Sequence, residues 1–177
     1  MWHDPEQLHD LSLWLLECVN EYSTATRHAA DELEKPLPPL RPGGPPGVST
    51  LSDREVVAVA DCWFEVFRAA PDVGAVASAL NGLLASAEPA VVAVSEDGSV
   101  RSEIQLSPSA DPTTRVAAWG AIVLLDVVAT IGVDRIGLCT GRRCIDVFID
   151  RSPRHNRRYC SELCQTRERV RRHRDLA

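Results

Sequence analysis

Four cysteines stand close together near the end of the chain, as Cys139-x4-Cys144 and, after fifteen intervening residues, Cys160-x3-Cys164. Thiols in two close pairs offer two chemistries, disulfide bonding or metal ligation. In a reducing compartment this spacing points to a metal, because thiols stay unpaired there and the two pairs can converge on one ion. Four thiolates complete the tetrahedral shell of zinc and leave no position open for water, so a structural site is expected rather than a catalytic one. An iron–sulfur cluster also takes four cysteines. The segment between these pairs is charged and offers no apolar, sulfur-shielding wrap, so the expectation is one Zn2+ on Cys139, Cys144, Cys160 and Cys164. Cys18 and Cys62 stand singly inside apolar helical patterns and are read as small buried hydrophobes.

The positive charge lies in the same place. Residues 139–177 carry eleven arginines against five acids, a balance of +6, while the rest of the chain stands at −12, which together give the net −6. Four thiolates with Zn2+ contribute −2, so a metal-loaded tail is still positive beside an acidic body. Such asymmetry suggests contact with a polyanion, nucleic acid above all; the competing account is that the arginines pair with the protein's own acidic body. The candidate nucleic-acid contacts are Arg154, Arg157 and Arg158 in the loop before Cys160, and Arg167, Arg169, Arg171, Arg172 and Arg174 after Cys164. Arginine suits both phosphate contacts and bidentate reading of guanine. Projected at helical spacing, Leu163 and Val170 share a face expected to pack on the finger. Gln165, Arg169 and Arg172 then lie opposite, with Arg167, Arg171 and Arg174 as a flank.

The elements that must position these residues can be read from periodicity. Leu8, Leu11, Leu15, Val19 and Tyr22 recur at helical spacing and predict a helix over residues 5–34. Residues 35–47, "KPLPPLRPGGPPG", hold six prolines and three glycines and predict a stiff loop. Ser52 and Glu55 form a capping box that opens a second helix, with Val56, Val59, Ala60, Trp63, Phe64 and Phe67 on its inner face. Pro71 is expected to begin a third, with Val73, Val76, Leu80, Leu83 and Leu84 facing inward. Two β-favouring runs around Asp97-Gly98 predict a hairpin containing Val92, Val94, Val100 and Ile104. Asp111 and Pro112 open a long helix that Gly132 ends. Its apolar run, Val116 to Val133, is interrupted by Asp126 and reads as a buried helix rather than a membrane span. A short strand follows Cys144, and Ser161 caps a final basic helix from Glu162 to about Arg174. The fold class is therefore α+β: a mostly helical domain with a small β-hairpin over residues 1–136, and a four-cysteine zinc finger of short strands and a basic helix over residues 137–177.

The polar, acidic start "MWHDPEQLHD" has no secretory-signal character, and a cytoplasmic location is expected. One lysine against eighteen arginines suggests a GC-rich, bacterial coding genome. No phosphate-binding glycine loop, nucleophile elbow or metal motif with an open position is present, so no enzymatic activity is expected.

The chain resembles bacterial proteins that carry a CGNR-type zinc finger after an N-terminal ABATE domain. The resemblance rests on Cys139, Cys144, the loop Arg154–Arg158, Cys160-Ser161, Cys164, Arg167 as the motif's final arginine, and the continuation "RERVRRHR". In the body, "LLECVNEYS" with Asn20 and "ALNGLLA" with Asn81 are similar to family segments. Gln165-Thr166 stands where the motif has Gly-Asn, and the second cysteine pair is a residue shorter. The resemblance implies a stress-related transcriptional regulator that binds DNA through the finger, with a body that senses a signal or mediates dimerisation. The alternative is a zinc-stapled module that docks on a protein of the transcription machinery without touching DNA. DNA, a second copy of the chain or such a protein are the expected partners, and no membrane.

Overall fold

Residues 112–131 are apolar on nearly every side, and they form the helix around which the others pack. A computed structural model describes residues 5–96 and 99–175. Its helices are α1 (Pro5–Tyr22), α2 (Thr24–Ala29), α3 (Asp53–Ala69), α4 (Val73–Ala85), α5 (Pro112–Ile131) and α6 (Glu162–Asp175). Its strands are β1 (Ala90–Glu96), β2 (Ser99–Gln105), β3 (Ile136–Leu138) and β4 (Val147–Ile149). By length and composition α5 could cross a membrane; here Val116 to Leu124 and Val127 are buried against α1, α3 and α4. The expected α+β class, mostly helical with small antiparallel strand pairs, is the observed one.

Three tryptophans knit the helices together. Trp14 of α1 meets Trp63 and Trp119 edge-on, with ring centroids 6.3 and 6.0 Å apart. Trp63 Nε1 donates to the Ala117 carbonyl at 2.9 Å, so its one polar atom is satisfied inside the core. Gly120 lets α5 approach α3, since a methyl group there would strike the Trp63 ring. Trp63 and Phe64 are core, as expected.

The first helix does not run to residue 34. Ser23 is extended, with φ −65° and ψ 140°, and its hydroxyl accepts from the Thr26 N–H, which ends α1 and caps α2. Asp61 of α3 accepts from both the N–H and the hydroxyl of Thr24 and pins the break. Arg27 is buried and gathers three carbonyls, of Glu21, Glu32 and Lys35, at 3.4, 2.6 and 2.6 Å. It turns the chain back into the proline-rich loop. That loop lies along α1, where Trp14 Nε1 donates to the Arg41 carbonyl and Tyr22 Oη to that of Pro38.

The capping box at Ser52 is present, with Glu55 Oε2 accepting from the Ser52 N–H and hydroxyl. Asp72, not Pro71, caps α4, and Val73 in its first turn is 69% exposed rather than inward-facing. Cys18 is buried, but Cys62 is exposed on the outer side of α3. Its predicted burial fails because α3 turns Val59, Ala60, Trp63 and Phe67 inward. β1 and β2 pair antiparallel from Ala90↔Gln105 to Glu96↔Ser99; the expected turn residues Asp97 and Gly98 lie outside the described residues. Asp111 and Pro112 open α5 and Gly132 closes it.

β3 and β4 pair antiparallel, Ile136 with Ile149 and Leu138 with Val147. Ile136, Val147 and Ile149 belong to the same apolar core as α1, α3 and α5, so the core crosses the boundary expected at residue 136.

Candidate metal centre and its arginine surface

The hairpin delivers the first pair of thiols. Cys139 follows the last residue of β3, and its N–H donates to the Asp146 carbonyl at 2.8 Å, extending the ladder. The chain then folds over on itself, with the Cys144 N–H donating to the Gly141 carbonyl at 3.1 Å. The second pair flanks the start of α6. Ser161 Oγ accepts from the Cys164 N–H at 3.3 Å and caps the helix as expected, which places Cys164 in its first turn. Thr140 joins the two halves, since its N–H and hydroxyl both donate to the Arg158 carbonyl, at 2.9 and 3.0 Å.

These elements bring all four sulfurs within 4.8 Å of one another. Cys144 and Cys164 each place Sγ 3.6 Å from Cys160 Sγ. A tetrahedron with zinc–sulfur bonds of about 2.3 Å has edges of about 3.8 Å, so the sulfur spacing fits one zinc ion held by four thiolates. Without a cation the group resists ionising together. Burial pushes the Cys144 thiol up and the Cys160 thiol up to about 12. Burial acts in the same direction on Cys164, but hydrogen bonds from its three partner thiols and Ser161 outweigh it and hold that group below its ordinary value. A divalent cation at the centre of the cluster would supply the positive charge that favours the thiolate forms. Four sulfur ligands leave no open position, so the centre is structural.

A second set of residues holds the hairpin and loop in place, and sequence reasoning finds only part of it. Asn20 of α1 acts as a short piece of strand: its Nδ2 donates to the Val147 carbonyl at 3.2 Å and its Oδ1 accepts from the Val147 N–H at 2.7 Å. Arg151 donates to the Ser12 hydroxyl. Asp150 accepts from the N–H groups of Ser152 and Arg157, at 2.8 and 3.0 Å. The Arg157 guanidinium donates to the carbonyls of Tyr159, Ile149 and Cys160, and lies 5.5 Å from the centroid of the Phe148 ring. The sequence places Arg157 among the nucleic-acid contacts; the structure turns it onto the finger's own backbone.

The face of α6 that packs inward also differs from the expected one. Cys164 and Glu168 are buried and Arg171 is half-buried, while Leu163 is 60% and Val170 44% exposed. The thiol cluster decides this: Cys164 points at the other three sulfurs, so residues one and two turns further on point the same way. Glu168 Oε1 accepts from the Arg142 N–H at 3.0 Å, and Oε2 from Nε and Nη2 of Arg171. These bonds draw the Glu168 carboxyl below its ordinary range. Arg171 is thereby tied to the finger.

The remaining arginines divide between two flanks of α6. Arg167 borders a cleft with Arg142, Arg143 and Arg171 on the Cys139–Cys144 side. Arg169 and Arg172 border another with Tyr159 and Gln165, where Arg172 donates to Tyr159 Oη at 2.6 Å. Arg154, Arg158 and Arg174 are exposed. Arg142 and Arg143 are not among the expected contacts, although their place between two ligand cysteines is a legible signal.

No curated protein matches the chain. The paired cysteines, the short antiparallel strands, the arginine-rich loop and the basic helix coincide with the stretch that a family model recognises: residues 135–176 match the CGNR zinc finger, and the chain carries that finger at its C-terminal end.

Proposed function

We propose that this chain is a bacterial, cytoplasmic transcriptional regulator that binds DNA through its CGNR zinc finger, and that its helical body, resembling an ABATE domain, senses a signal or mediates dimerisation. It is a binding module rather than an enzyme, and the zinc holds α6 in place rather than acting on a substrate. One observation carries the reading. Among the described residues, the guanidiniums of Arg167, Arg169 and Arg174 have no protein partner, and α6 makes no substantial contact with the acidic body. Cations of one sign held along a helix repel one another, and an external polyanion relieves that repulsion. This weighs against the body's own acids as their counterions.

A helix about 10–12 Å across fits the B-DNA major groove, which is about 12 Å wide. The outermost residues of α6, Thr166, Arg169 and His173, would then meet base edges while arginines on both flanks meet phosphates. The exposure of Leu163 and Val170 on the same helix favours the second reading, a zinc-stapled module docking on a protein of the transcription machinery.

Fluorescence anisotropy of labelled duplex DNA at several salt concentrations separates the two. DNA binding should weaken steeply with salt, and Arg169→Ala/Arg172→Ala should weaken it further without releasing zinc. No binding at low salt, or identical curves for wild type and variant, overturns the DNA reading and leaves the protein-docking one.

A further inference from the structure

The cleft between the Cys139–Cys144 turn and α6 encloses about 360 Å³. Arg142, Arg143, Arg167 and Arg171 reach it from two elements, with Gly141, Glu168 and the metal-site residues Cys144 and Cys164 between them. Four guanidiniums around one concavity need a reason. Neutralising the zinc-tetrathiolate centre is the first to consider, because that centre carries −2. Direct neutralisation would show as guanidinium N–H groups donating to sulfur. The hydrogen bonds of the cysteine sulfurs instead go to one another, to Asp146 and to Ser161. Pairing with Glu168 is the second. Its two oxygens are committed to the Arg142 N–H and to Arg171. Glu168 therefore fixes the wall of the cleft and, among the described residues, leaves the guanidiniums of Arg142, Arg143 and Arg167 without a carboxylate.

We propose that this cleft is a binding site for a backbone phosphate of duplex DNA, an assignment that rests on the DNA-binding reading above and extends it to residues outside the helix. Arg143 and Arg167, one from each element, supply fork-shaped donors that match phosphate oxygens. Arg171 adds positive potential from a pose held by Glu168. A second cleft, beside Tyr159 on another side of α6, sets Arg169 and Arg172 next to Glu162 and so is less purely cationic. Phosphate contacts of this kind set register rather than sequence.

The test uses the full zinc-loaded chain, a fluorescein-labelled duplex and anisotropy titrations over a range of salt concentrations. Wild type is compared with Arg143→Ala/Arg167→Ala and with Arg143→Lys/Arg167→Lys. The alanine variant should bind more weakly by a similar factor on unrelated duplexes, and its log–log salt slope should be shallower by about 0.9 for each phosphate the protein no longer neutralises. The lysine variant should keep the wild-type slope, and all three proteins should hold one zinc. An unchanged slope in the alanine variant, with wild type binding normally, overturns the cleft and leaves the DNA reading intact. Absence of wild-type binding at low salt overturns both. Zinc loss confined to the alanine variant assigns the arginines to the metal centre and overturns the cleft.

Discussion

Asp150 is the residue on which the loop between β4 and Cys160 turns. It is buried, and burial alone would raise its carboxyl, but contacts from Ser152, the Arg157 N–H and the positive charge of Arg135 outweigh it and hold the group at about 2. An unfolded aspartate titrates near about 3.9, so the folded state favours the ionised form. The stability this contributes is present above about pH 4 and is lost as pH falls toward about 2. Asp150→Asn should therefore destabilise the finger by roughly 1–2 kcal/mol at neutral pH, given solvent screening. Urea unfolding at several pH values should show the gap between wild type and variant closing in acid, and a gap that stays constant down to low pH would refute the assignment. Acid also protonates the thiolates and releases zinc, but it does so in both proteins, so the difference between them isolates Asp150. Nothing local in "DRSPRHNRR" marks this carboxylate as a hub. Two of its partners, Ser152 and Arg157, lie in that stretch but as main-chain N–H groups that no residue type betrays, and Arg135 comes from the other side of the hairpin, brought there only by the fold.

At the scale of elements, what can be read from sequence is what is decided locally. Ser52 with Glu55, Asp111 with Pro112, and Ser161 before α6 are caps whose partners lie within a few residues, and each stands where the spacing places it. The four-cysteine cluster is legible for the same reason, since its spacing names its chemistry. The break at Ser23 has a local half, the Ser23 hydroxyl accepting from the Thr26 N–H, and a distant half that sequence does not show, Asp61 pinning Thr24 from more than thirty residues away. The inward face of α6 is not legible: hydrophobicity favours Leu163 and Val170, while the thiol cluster requires Cys164 and so brings Glu168 and Arg171 in after it. Asn20 joins two such scales. In sequence it is a polar residue in an apolar helix, and in the fold it bonds to both main-chain groups of Val147. Asn20→Ala should leave those strand groups unsatisfied and cost roughly 1–3 kcal/mol. Thermal unfolding reads the cost, and amide exchange at Val147 reads its location. A variant as stable as wild type, with Val147 still protected, would show that β4 is held by its apolar side chains alone.

Over the whole molecule, the acidic body and the basic finger are one structure up to β4 and become separable beyond it. Ile136, Val147 and Ile149 complete the core of α1, α3 and α5, whereas α6 is held by two cysteines, one carboxylate and the loop that Arg157 braces. A 14-residue helix with most of its surface charged is marginal by itself. Its order depends on the metal, while the order of β3 and β4 depends on the body. Two perturbations should then diverge. Removing zinc with a chelator, or through Cys144→Ser, should melt α6 while the helical signal of the body and its unfolding midpoint change little. Ending the chain at residue 135, one residue short of the boundary expected at 136, should not leave the body folded. Burial of one Val or Ile side chain contributes roughly 1.5–3 kcal/mol. Removing three such residues, together with the bonds from Asn20, approaches the roughly 5–15 kcal/mol that holds a domain folded. The truncated body should be unfolded or molten by circular dichroism and should bind a hydrophobic dye, whereas a chain ending after Ser152, which keeps both strands, should retain the cooperative transition of the zinc-free protein. A fragment of residues 1–135 that melts cooperatively at the full chain's midpoint would show that the hairpin packs on a finished core instead of completing it.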